Sequence, residues 1–243
     1  SIADMSRVRV PEVHETLQYV FDAIKMIKKE LNGRVPLIGF AGAPWTLLCY
    51  MVQGKGSKTF DEAKSFCYTQ PEVAHHLLQM ITDTTIAYLK GQIEAGADVV
   101  QIFDSWGGLW SPVDFEEFSL QYIRQIVHAV KDLAPTIIFA KGAWASIGAM
   151  AETGAAGLGI DWCIPPKTAR EFAGDNITLQ GNFDRAKLYA PENEKKREVK
   201  KMITDFGPGR YIANLGHGIL PTVPVDSARA FVDTVKEFDY STL

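Results

Sequence analysis

Six short apolar runs, separated by helical patterns, constrain what this chain can fold into more than any other feature: Val35–Ala41, Val99–Phe103, Thr136–Ala140, Gly157–Ile160, Ile177–Gln180 and Tyr211–Leu215. Each gives way abruptly to polar or glycine-rich sequence. In Asp98–Pro112, DVVQIFDSWGGLWSP, the residues Val99, Val100, Ile102 and Phe103 suit a strand covered on both faces, and Gly107, Gly108 and Pro112 leave no room for it to continue. The other runs end at Gly39–Pro44, Lys141-Gly142, Asp161-Trp162, Gly181–Asp184 and Gly216–Gly218. Alternating strand and helix units with short connections predict a parallel sheet, open and doubly wound or closed into a barrel. Only closure lets all six polar strand ends face one mouth.

The predicted fold class is therefore α/β, a parallel (β/α)8 barrel of the TIM type. A closed barrel takes eight strands, and six are found. The chain opens on a helix with no strand before it, so 1–243 is expected to be a single barrel domain lacking its first two units. The connecting helices read as Pro11–Leu31, Glu72–Ala95 stopped by Gly96, Pro112 to about Leu133, Ile147–Thr153, Thr168–Ala173, Glu192–Phe206 and Val225–Phe238. From Trp45 through Phe66 the expectation is a loop with one or two helical turns, broken by the glycine-rich Gln53–Ser57 and read as a mobile lid. That segment has neither G-x-G-x-x-G nor Walker spacing, so it does not predict phosphate binding.

Composition narrows the function. With 25 basic and 29 acidic residues interspersed, and the cluster Lys195–Lys201 broken by Glu198, no nucleic-acid surface is expected. No apolar run approaches the ~20 residues a bilayer demands, and SIADMSRV has no apolar signal core. Cys49, Cys67 and Cys163 are widely spaced, with no C-x-x-C or H-x-C pairing, which fits reduced thiols and argues against thiolate zinc. A cytoplasmic protein with no membrane partner and no metal is expected.

Four of the five histidines, His14, His75, His76 and His128, fall within helical patterns and read as packing or surface residues. His217 differs, because Gly216 and Gly218 flank it at a strand end and leave its imidazole little steric cover. Ser105 has no nucleophile elbow around it and reads as a binding hydroxyl. Asp104 and Asp161 fit acid–base groups or anchors for loop amides equally well. Lys141 sits where a Schiff-base lyase would carry its nucleophile, or pairs with a carboxylate. Phe40, Trp45, Tyr50, Phe103, Trp106, Trp110, Trp144, Trp162 and Phe183 all lie near strand ends; some must be core, but so many there predict a pocket for a large, flat or multi-ring ligand.

Taken together, GFAGAPWTLLCYMVQG over Gly39–Gly54, Gln101–Ser105 with Trp106-Gly107-Gly108, IFAKG over Ile138–Gly142, Gly181-Asn182, and NLGHGILP over Asn214–Pro221 resemble the uroporphyrinogen decarboxylase family. The likeness runs from about Pro11 to Phe238. It implies a barrel, usually a homodimer, that takes uroporphyrinogen to coproporphyrinogen by removing four acetate carboxyl groups, with no metal or organic cofactor. It places the family's substrate-binding tyrosine on Tyr50, its serine on Ser105 and its histidine on His217. Phe40 and Phe103 match further pocket positions. The family's essential aspartate and its carboxylate-binding arginines match no residue here, so no catalytic residue is assigned, and impaired turnover is expected of this chain alone. Phe183 and Arg185 stand where the family often has Leu and Pro, a departure expected to alter the local loop and to touch none of these named ligand residues. The alternatives are a zinc-dependent corrinoid methyltransferase of the same superfamily, which needs an absent H-x-C pair, a lyase acting through Lys141, and a non-catalytic barrel fragment.

Overall fold

Helices and parallel strands alternate along the chain in the computed structural model, which describes residues 7–243. Ser1–Ser6, part of the start read as lacking a signal core, lie outside the described residues. The residues divide into two compact units between Ala156 and Gly157.

In the first unit, α1 (Val13–Thr16) and α2 (Gln18–Leu31) share the apolar stripe expected of one helix but are separated at Leu17. The left-handed Asn32 stops α2 as predicted. Strand β1 (Ile38–Gly42) is shorter than the apolar run. The region expected to be mostly loop holds two helices, α3 (Pro44–Gln53) and α4 (Asp61–Thr69). Pro44 at the first helical turn starts α3 and the left-handed Gly54 ends it, so the glycines cap a helix and do not break one.

Next come α5 (Pro71–Glu94), β2 (Val99–Asp104), α6 (Pro112–Phe115), a π-helical turn (Glu116–Leu120), α7 (Gln121–Val130), β3 (Thr136–Ala140) and α8 (Ile147–Ala151). The strands run parallel in the order β1-β2-β3, with Phe40 opposite Gln101 and Asp104 opposite Ala140. All five residues of β3 are buried, as are Val100, Ile102, Leu78, Leu89, Ile123 and Ile126. Each fully buried Val, Leu, Ile or Phe side chain among them contributes about 1.5–3 kcal/mol.

At Phe40 the side of β1 away from β2 is met by a side chain. Gln92 of α5 donates from Nε2 to the Phe40 carbonyl at 2.8 Å, and its Oε1 accepts from the Phe40 N–H at 3.0 Å. One buried amide thus fills both bonds that a neighbouring strand would make at Phe40. A Cβ on Gly39 would meet Gln92 Oε1 at 2.6 Å, so glycine there is a condition of the arrangement.

The second unit holds β4 (Gly157–Gly159), α9 (Pro166–Ala173), β5 (Thr178–Phe183), α10 (Glu192–Phe206), β6 (Tyr211–Leu215) and α11 (Val225–Glu237). Its strands are parallel in the order β4-β5-β6, with Asn182 opposite Asn214. Phe183, Leu188, Val199, Met202, Ile203 and Phe231 form its core. Helix α10 carries the basic cluster as a face laced with ion pairs, Lys196 to Glu192 at 2.7 Å and Arg197 to Glu194 at 3.2 Å. Lys195 departs from that reading: it is buried and donates to Ser227 Oγ at 2.6 Å.

Candidate functional site

Asp104 is the anchor at the carboxyl ends of β1 and β2. Its carboxylate is fully buried and accepts from Thr46 Oγ1 at 2.7 Å, from Ser119 Oγ at 2.5 Å and from the Trp106 backbone. Burial pushes its pKa up to about 6, against the lowering effect of those three hydrogen bonds. One side chain therefore ties β2 to the first turn of α3, to the π-helical turn and to its own loop. These contacts are those of the anchor reading of Asp104.

That anchoring positions Tyr50. Thr46 and Tyr50 are one turn apart on α3, and Trp106 Nε1 donates to Tyr50 Oη at 2.9 Å. Trp45 Nε1 donates back to the Trp106 carbonyl at 3.1 Å. Phe60, buried and with a left-handed backbone, lies 5.8 Å from the Tyr50 ring and 4.8 Å from Trp106. The sequence reading missed Phe60, since nothing in its neighbourhood marks a left-handed phenylalanine. Tyr50 stays 44% exposed and borders an apolar groove of about 330 Å³ with Met51, Met80 and Ile81.

Phe40 and Phe103 meet edge to face at 5.7 Å, and Phe103 meets Phe139 at 5.8 Å. The ladder crosses β1, β2 and β3, and Phe40 is 60% exposed at its open end. Phe139 was not singled out, although its central place in IFAKG was the available signal. Ser105 follows Asp104 directly and is partly buried. The Lys141 N–H donates to the Asp104 carbonyl at 3.1 Å, and its own carbonyl accepts from Gly108 N–H at 2.9 Å.

Three of the rim aromatics belong to the core instead: Trp45, Trp110 and Phe183 are buried. Trp45 and Trp110 pack on each other at 4.5 Å, and Phe183 packs on Phe231. Position near a strand end does not distinguish a side chain pointing into the helix layer from one pointing out of the strand tip.

In the second unit His217 follows β6, held by Gly216 N–H donating to the Phe183 carbonyl at 2.8 Å. A Cβ at Gly216 would meet the Trp162 backbone nitrogen and ring at 2.9 Å, which explains the glycine. Arg185 directs Nη1 to His217 Nδ1 at 3.3 Å and to the Gly218 carbonyl at 2.9 Å, with its guanidinium 5.8 Å from the Trp162 ring centroid. The expectation that Arg185 touches no ligand residue is thus overturned. Asp161 Oδ1 accepts from the Cys163 N–H at 2.9 Å, and Asn182 Nδ2 donates to the carbonyls of Asp161 and Ile164. Asp161 Oδ1 thus holds the amide of its own loop. His75 is a packing residue, bonded to Tyr122 Oη at 2.7 Å and stacked on Phe118. Among the described residues no group of three or more His, Cys, Asp or Glu is arranged to hold a metal ion, and no helix is long and apolar enough to cross a membrane.

A family model described as uroporphyrinogen decarboxylase (URO-D) matches residues 1–238. The chain is 57% identical over 238 residues to the uroporphyrinogen decarboxylase of Flavobacterium johnsoniae, covering 98% of this chain and 70% of that relative. It is 60% identical to that of Christiangramia forsetii, covering 96% and 69%, and 48% identical to the human one, covering 96% and 66%. Among solved structures, a methyltransferase from Methanosarcina mazei superposes with a TM-score of 0.82 at 25% identity, covering 95% of this chain and 68% of that one. A B12-independent methionine synthase from Shewanella does so at 0.64 with 10% identity, covering 89% and 64%, a likeness of fold alone. These likenesses bear out the α/β class with parallel strands of the TIM-barrel type.

Proposed function

The chain belongs to the uroporphyrinogen decarboxylase family, and on that premise we propose that it is a carboxy-lyase of haem biosynthesis, removing the four acetate carboxyl groups of uroporphyrinogen III to give coproporphyrinogen III. The observation that carries the reading is the 57–60% identity to decarboxylases over nearly the whole chain. The 25% identity to the methyltransferase is far lower, and the residues that would hold zinc in that alternative are not gathered anywhere among the described ones.

Protonating a pyrrole carbon makes the ring an electron sink; carbon dioxide leaves the acetate arm and its bonding electrons form an exocyclic methylene, a second proton turns that methylene into the methyl group, and the ring carbon gives up the first proton to restore the aromatic pyrrole, for a net uptake of one proton per arm. Such chemistry calls for proton donors and for groups that fix a large anionic ring system. We assign substrate binding to Tyr50, Ser105, Phe40 and Phe103 of the first unit and to His217 of the second. The exposed face of Phe40 and the Trp106-oriented hydroxyl of Tyr50 support the first assignment, and the Arg185-bonded imidazole supports the second. A homodimer in the cytoplasm completes the proposal.

The test is product analysis with uroporphyrinogen III. The 243-residue chain is assayed alone and joined to the N-terminal segment of the Flavobacterium johnsoniae relative. Coproporphyrinogen III is the expected product of the joined chain, and Y50F and H217Q slow it. A folded joined protein that leaves uroporphyrinogen untouched overturns the reading. Light scattering checks the dimer, and cell fractionation checks the location.

A further inference from the structure

We infer that Arg185 is a positioning residue that fixes which nitrogen of His217 carries the proton. Arginine has five N–H donors and no acceptor. The 3.3 Å contact from Arg185 Nη1 to His217 Nδ1 therefore has one polarity: the guanidinium donates and Nδ1 accepts. An Nδ1 that accepts bears no proton, so the neutral ring holds its proton on Nε2. Arg185 selects the tautomer, and His217 offers an N–H donor from the side of the ring facing away from the arginine.

The arginine is itself held. The same Nη1 donates to the Gly218 carbonyl at 2.9 Å, immediately after the histidine, and the guanidinium lies over the Trp162 ring at 5.8 Å. At its base, Asp184 caps the turn Arg185–Tyr189 by accepting from Ala186 N–H through Oδ1 at 2.9 Å. One side chain that bridges β5's end to β6's end thus meets both the imidazole and the carbonyl beside it. A donor fixed on Nε2 suits an acceptor such as a substrate carboxylate, and this last step rests on the substrate-binding role proposed for His217. The tautomer does not.

The experiment reads the tautomer directly and needs no turnover, so its failure is separable from failure of the decarboxylase reading. Long-range proton–nitrogen correlation spectra of the uniformly nitrogen-labelled chain are recorded at about pH 8, above the ordinary imidazole range, with H217Q assigning the resonance. In the unmodified chain Nδ1 is expected at the unprotonated end of the nitrogen range and Nε2 at the protonated end. In R185A the two resonances are expected to move toward each other as both tautomers become populated, while R185K, which keeps a cationic donor on a shorter reach, falls between. R185P is the second variant should R185A not fold. Proline suits the first position of a turn, and Asp184 already has the extended backbone that a following proline requires. A proton on Nδ1 in the unmodified chain overturns the inference. So does an unchanged nitrogen pattern in a folded R185A or R185P.

Discussion

Replacing Gln92 with leucine tests whether one side chain stands in for a strand. Gln92 is 2% exposed and uses both ends of its amide on Phe40, at 2.8 and 3.0 Å. Leucine restores the apolar volume but leaves the Phe40 N–H and C=O without partners. An unsatisfied buried backbone group costs ~1–3 kcal/mol. Both groups lie beside an exposed ring, where water reaches them in part, and the added leucine burial offsets some of the loss. The expected destabilisation is therefore about 2 kcal/mol. In urea, with a slope of ~3 kcal/mol per molar, the midpoint falls by about 0.7 M. Gln92→Glu separates hydrogen bonding from packing. It keeps an acceptor for the Phe40 N–H but sets a second carboxylate oxygen against the Phe40 carbonyl. Q92E should be destabilised at neutral pH, because burial against the Phe40 carbonyl raises its folded pKa above the ordinary ~4.3, and its stability should recover as the pH falls from that raised value toward ~4.3, where protonation in the folded state has restored the donor. Hydrogen exchange at the Phe40 amide should quicken in Q92L. A Q92L midpoint equal to that of the unmodified chain, together with a Q92E stability difference independent of pH, would refute the strand-substitute reasoning.

Asp104 predicts a stability that depends on pH. Its folded pKa of about 6 lies above its ordinary 3.8, so its favourable contribution is complete below the ordinary value and is lost as pH rises through about 6. Relative to D104N, the unmodified chain should lose up to ~3 kcal/mol between pH 4 and 7, read from urea midpoints across that range. Of the three cysteines, Cys49 and Cys67 are buried, with burial pushing the Cys67 thiol up to about 12 and raising Cys49 as well, whereas Cys163 is exposed. A thiol reagent at pH 8 should modify Cys163 in the folded chain and reach the other two only in denaturant, as peptide mass mapping would show. A Cβ on Gly108 would meet the Lys141 carbonyl oxygen at 2.6 Å and the Gly142 carbonyl carbon at 2.7 Å. Those are backbone atoms and cannot step aside, so G108A should lower stability by about 1–3 kcal/mol in thermal or urea unfolding.

How far the sequence could be read depended on whether the signal was periodic. Thr136–Ala140, Glu192–Phe206 and Tyr211–Leu215 stand in the structure with the predicted bounds, because an apolar run or a helical stripe with clear stops repeats one requirement many times. The stretch Trp45–Phe66 misled because glycine was taken as a breaker, while Gly54 sits at a left-handed helix end where glycine is favoured. The rim was legible in outline only. Nine aromatics near strand ends predicted a pocket wall, but burial puts Trp45, Trp110 and Phe183 in the core. Sequence distance from a strand end says nothing about which way the side chain turns.

What the sequence hid most completely are single contacts between elements distant in the chain. Gln92 lies 52 residues from Phe40, and Arg185 lies 32 from His217. Neither pair leaves a periodic trace, because one amide or one guanidinium satisfies its partner once. Yet these contacts set what the periodic elements leave open. Strand β1 could exist without Gln92, but the amide fixes the backbone from which the exposed Phe40 ring projects. The turn after β6 could form without Arg185, but the guanidinium decides which imidazole nitrogen donates. Residue type at a strand end therefore reveals that a group is available, whereas its orientation and protonation are decided by a second residue that motif reading passes over. Arg185 shows this most sharply: in sequence it is a local loop departure beside Gly181-Asn182 that touches no named ligand residue, and in the structure it makes the polar contact that gives His217 a defined donor.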